Sequence, residues 1–84
     1  MRRALALILL AGLAGCGGGA QPQPIPVSQV PEPMLKAAQE KLPGVKFDQA
    51  WKRPDGGYEI RGKNKQGKVR DIDLGPNGDV LEIE

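Results

Sequence analysis

The sequence predicts an α+β fold, one N-terminal helix packed on a small antiparallel sheet of three to four strands, and three observations carry the prediction. Apolar residues at helical spacing occur at Leu35, Ala38 and Leu42. A two-residue apolar period then runs through short stretches between Val45 and Ile83. Glycine-containing breaks separate those stretches: Pro54-Asp55-Gly56-Gly57, Lys65-Gln66-Gly67 and Gly75-Pro76-Asn77-Gly78.

The helix is expected from Pro31 to Leu42. Prolines suit a first helical turn because the missing N–H has no partner there, Glu32 complements the positive end of the helix dipole, and Leu42-Pro43-Gly44 stops the run. Val45, Phe47 and, less regularly, Trp51 form the inward face of a first strand, and Tyr58 and Ile60 that of a second, with Gly62 ending the apolar face. A three-residue hairpin loop at Lys65-Gln66-Gly67, glycine at its left-handed position, fixes the next register. Ile60 then faces Ile72, Tyr58 faces Leu74, and Arg61 faces Asp71 on the other side. A four-residue loop would set Ile60 against Asp71, so the shorter loop is expected. Leu81 and Ile83 supply the inward residues of the last strand.

The 84-residue chain divides into residues 1–15, a signal segment; 16–33, a Cys followed by a Gly/Pro-rich linker; and 34–84, the folded domain. Arg2 and Arg3 precede an apolar run from Ala4 to Ala14, which as a helix would rise only about 16 Å, roughly half a bilayer's hydrocarbon thickness. A permanent membrane span is not expected. Leu13-Ala14-Gly15-Cys16 resembles the lipobox of bacterial lipoproteins, whose Cys becomes the acylated N-terminus. The resemblance implies lipidation, palmitate included, at Cys16 and a membrane anchor. One acyl chain holds only marginally, whereas the two or three of such lipoproteins hold firmly. Gly17 follows in place of the Asp that retains such proteins at the inner membrane, so the expected address is an outer membrane facing the periplasm where the cell has one. From Gly17 the chain runs through glycines, Pro22, Pro24 and Pro26 to Pro33, a tether that reaches roughly 50 Å if extended.

Charge and composition narrow the function. The formal net charge is +2, but Arg2 and Arg3 account for it: ten Lys and Arg stand against ten Asp and Glu after Cys16. Nucleic acid is therefore not an expected partner. There is no His or Thr, one Ser, and one Cys assigned to lipid, so the usual nucleophile-base pairs and thiolate or imidazole metal sites cannot be assembled, and no enzyme and no cofactor are expected.

From about Pro31 to Glu84 the chain resembles the PepSY domain, on Leu42-Pro43-Gly44-Val45, Gly57-Tyr58-Glu59-Ile60, Gly67 and Asn77-Gly78-Asp79-Val80-Leu81-Glu82-Ile83-Glu84. Gly75-Pro76 departs from it where such domains often carry an Asp. The resemblance implies a binding module outside the cytoplasm, in a family associated with binding and restraining peptidases, and it marks no catalytic residue. An envelope protein, peptide or peptidase is the implied partner. The alternative role is a structural scaffold subunit of an envelope assembly complex.

Two groups are candidate site residues. Asp71, Asp73, Glu82 and Glu84 share one face if the last two strands are neighbours, and then repel unless a cation or basic partner sits there. Trp51, Lys52 and Arg53 set an aromatic beside two cations ahead of a loop, a candidate partner-binding spot, although Trp51 is expected in the core. An open sheet edge could accept a peptide strand or pair two copies as a weak homodimer.

Overall fold

A computed structural model describes residues 20–84; the signal segment, Cys16 and the glycines after it lie outside the described residues. The elements run in order as β1 (Gln23–Ile25), a 3-10 turn (Val27–Gln29), α1 (Glu32–Lys41), β2 (Lys46–Lys52), β3 (Tyr58–Lys63), β4 (Val69–Leu74) and β5 (Val80–Ile83). The five strands form one antiparallel sheet in the order β1-β2-β3-β4-β5.

This corrects the expected three-to-four-stranded sheet and its N-terminal helix, because a strand and a turn precede α1. The extra strand comes from the proline-rich segment read as tether. Polyproline II and β backbones are close neighbours in dihedral space, and Pro26, at φ −65° and ψ 144°, serves either. A residue without an N–H is tolerated at a sheet edge, which is where β1 and its Pro24 lie, paired to Trp51 of β2. Ile25, Val27 and Val30 then add to the core, Val30 buried and the other two packed against it.

α1 begins after Pro31, with Glu32 in its first turn and Lys41 in its last, the charges each end of the helix dipole favours. It covers one sheet face and buries Ala38, with Leu42 just beyond its end. Beneath it lie Ala50, Ile60, Ile72 and Leu74, and Met34, Leu35, Val45, Phe47, Tyr58 and Val80 close the core at its margins. Ile60, Ile72 and Leu74 are the largest fully buried side chains.

The β3-β4 register is the expected one, pairing Ile60 with Ile72, Tyr58 with Leu74 and Arg61 with Asp71. Its loop is Lys65-Gln66-Gly67: Asn64 N–H donates to the Lys68 carbonyl at 2.9 Å, and Gly67 sits at φ +80°, which an L side chain rarely adopts. The Asn64 carboxamide oxygen accepts from the backbone N–H groups of Gln66 and Lys68, both at 2.9 Å, and so organises the turn. The other two hairpins repeat this form at Pro54-Asp55-Gly56 and Pro76-Asn77-Gly78, closed by Arg53 to Gly57 at 2.9 Å and Gly75 to Asp79 at 2.8 Å. Gly75-Pro76 therefore closes the same kind of turn as the others.

Two irregularities redirect side chains. The β2-β3 register shifts between Phe47 and Gln49. One extra residue reverses the alternation, so Phe47 and Ala50 face the helix while Trp51 faces away from it. Trp51 is thus not a core residue, contrary to the expectation for it. Opposite the shift, a Cβ added at Gly62 would overlap the Lys46 carbonyl, so the backbones meet there at glycine's limit. A second shift between Asp73 and Leu74 sets Val80 against the core and turns Leu81 outward, 52% exposed where it was expected inside, while Ile83, opposite Ile72, keeps the helix-side facing expected of it and is 39% exposed at the sheet edge.

Candidate functional site

The sheet face away from α1 carries the polar residues, placed by strand alternation. Glu59 and Arg61 of β3, Asp71 and Asp73 of β4, and Glu82 of β5 are register neighbours across it: Glu59 with Asp73, Arg61 with Asp71, Asp73 with Glu82. Glu84 extends the row, exchanging backbone hydrogen bonds with Asp71 at 2.8 and 2.9 Å. The four acids singled out from sequence, Asp71, Asp73, Glu82 and Glu84, therefore share a face on adjacent strands. The tightest group is a different one: carboxylate oxygens of Glu59, Asp71 and Asp73 lie within 4.8 Å of one another. Sequence inspection missed Glu59, although the register that pairs Ile60 with Ile72 also sets Glu59 against Asp73.

Two guanidinium groups hold this acidic face together. Arg61 Nε donates to Asp71 Oδ2 at 2.8 Å and its Nη2 to Glu59 Oε2 at 3.4 Å, while the guanidinium lies over the Trp51 ring at 4.7 Å. Arg53 reaches in from the first hairpin loop, its Nη1 3.4 Å from Asp73 Oδ2, and also pairs with Asp55 at 3.3 Å. Asp55 in turn accepts the Gly57 N–H at 2.8 Å; that bond, followed by Arg53, holds its carboxyl below the usual carboxylate range.

The crowding shows in the titration of the acids. Burial, then the hydrogen bond and charge of Asp71, push Glu59 up to about 7 from 4.5, with Arg61 opposing. Burial and the Asp71 charge raise Asp73, whose Oδ1 is buried without a hydrogen-bond partner. Glu82 is raised by its hydrogen bond to Glu84 and by that neighbour's charge. A hard cation takes oxygen ligands of this kind, but Arg61 already engages two of the three clustered carboxylates. The arrangement is an ion network with residual negative charge, six carboxylates, Asp55 included, around the guanidinium groups of Arg53 and Arg61.

Trp51, Lys52 and Arg53 do not converge. Trp51 and Arg53 serve the acidic face, whereas Lys52 belongs to the other side, its Nζ 5.8 Å from the Tyr58 ring centre. On the helix side of β5, a hollow between the end of α1 and the β3-β4 hairpin is lined by Leu42, Val45 and Ile83 and edged by Lys41, Lys65 and Arg70. The two flanks of the β5 edge thus differ, acidic on one side and apolar with a basic rim on the other.

Among the described residues no helix is long and apolar enough to cross a membrane. No protein-family model, curated protein or solved structure matches the chain.

Proposed function

We propose that this chain is a lipid-anchored protein of the bacterial envelope whose small domain is a non-enzymatic binding module for a protein or peptide, with an exported peptidase the partner class to test first. The observation that carries the reading is Leu13-Ala14-Gly15-Cys16, which follows a short apolar run and contains the only thiol in the chain. Two features support the binding role. The segment from Pro31 to Glu84 resembles modules that bind and restrain peptidases, and the acidic face adjoins a sheet edge with one exposed flank. With no His and no second Cys, the usual His-based nucleophile-base pairs have no residues to use. The anchor places the module at a membrane surface, outer and periplasm-facing where the cell has two membranes.

Cross-linking the chain in its own cells tests this, with Cys16→Ser as the control. The expected result is a membrane-fractionated chain joined to an exported protein, and a purified domain that slows that partner if it is a peptidase. A chain in the soluble fraction, or one without a cross-linked exported partner, would contradict the proposal.

A further inference from the structure

The two edges of the sheet are protected differently. β1 carries Pro24, with Pro22 and Pro26 on either side, so an incoming strand finds few donors there. β5, Val80-Leu81-Glu82-Ile83, contains no proline and no lysine. Asp71 and Glu84 exchange both backbone hydrogen bonds, so their neighbours Ile72 and Ile83 form a pair without them. The N–H and carbonyl of Ile83 consequently point outward from the sheet.

We propose that the outer edge of β5, uncovered among the described residues, takes up an extended peptide segment in which basic and apolar side chains alternate, the basic ones lying on the acidic face and the apolar ones beside Ile83. The proposal rests on the binding-module reading and names its partner class. Charge complementarity selects the occupant. A strand added at β5 sets alternate side chains about 5 Å from Glu82 and Glu84, within reach of a Lys or Arg, with Asp71 and Asp73 behind them. Its other side chains stand beside Ile83 and the hollow floored by Leu42 and Val45, where Lys41, Lys65 and Arg70 disfavour further cations. A segment shifted by one residue exchanges its faces and meets the wrong charge on both.

A second copy fits poorly. If Ile83 meets Ile83 or Leu81 of another chain across antiparallel edges, Glu82 stands opposite Glu84 or Glu82. The acids that recruit a basic peptide at neutral pH thus repel the homodimer.

The test uses the purified full-length chain and synthetic hexapeptides, Lys-Val-Lys-Val-Lys-Val and Glu-Val-Glu-Val-Glu-Val, followed by calorimetry and by the backbone amide signal of Ile83. In the proposed register each Val opposite Ile83 directs its N–H toward β5, whereas each Lys directs its N–H away. N-methylation of the Val amides is expected to weaken the Lys-Val peptide at least tenfold, and N-methylation of the Lys amides to leave it within about twofold. The exposed double variant Glu82→Lys with Glu84→Lys is expected to lose the Lys-Val peptide and gain the Glu-Val one. No binding of the Lys-Val peptide, equal loss from both methylations, or indifference to charge reversal overturns the proposal. These peptides probe the edge alone, so such a result leaves the binding-module reading to stand or fall on its cross-linked partner.

Discussion

Replacing Glu59 with Gln is expected to stabilise this domain at pH 8 and to leave it nearly unchanged at pH 4. Burial and the adjacent Asp71 make the Glu59 carboxyl harder to ionise in the folded chain, titrating at about 7 against an ordinary 4.5. Since the folded value is the higher one, stability is fully present below about 4.5 and is lost as pH rises through about 7. That gap converts to roughly 3 kcal/mol at about 1.4 kcal/mol per pH unit. The side chain is 22% exposed and lies near solvent, so screening leaves about 1–2 kcal/mol. Arg61 loses only its 3.4 Å contact in the variant and keeps Asp71 at 2.8 Å. Urea unfolding of both proteins at the two pH values measures the difference. A variant destabilised at pH 8 would refute the reasoning, because it would mean that Arg61 outweighs burial and the neighbouring acids.

Two further outcomes follow from packing. Ile60 is fully buried between Ala50 and Ile72, so Ile60→Ala is expected to cost about 3 kcal/mol, enough to unfold much of so small a domain at room temperature; a cooperative melt at the wild-type midpoint would contradict it. Arg61→Ala uncovers the Trp51 ring, so its fluorescence should shift to the red and become more quenchable by iodide, whereas unchanged emission would deny the stacking seen at 4.7 Å.

The parts of the fold readable in the sequence are those written in local turn chemistry. Gly67 and the apolar and charged pairs flanking it determine both a loop length and the β3-β4 register, while the acidic row on β4 and β5 needs the separate pairing of those two strands, which sets Asp73 against Glu82. β1 was not readable because proline repeats at Pro22, Pro24 and Pro26 suit a free polyproline segment and an edge strand equally; only pairing with β2 separates them. Trp51 was misplaced because a shift between Phe47 and Gln49 inverts the alternation, and nothing about Asp48 announces it. The same cause moved Leu81 outward past the shift at Leu74. Glu59 was overlooked for a different reason: its importance comes from Asp71 and Asp73, which the chain delivers more than ten residues later.

The anchor at Cys16 is the claim on which the proposed role depends most directly. Intact mass analysis of the mature chain extracted from the membranes of its own cells tests it. The account predicts an N-terminus at Cys16 carrying acyl chains, with Cys16→Ser abolishing both the modification and the membrane association. A mature chain that begins elsewhere, or that carries an unmodified Cys16 in the soluble fraction, would contradict it.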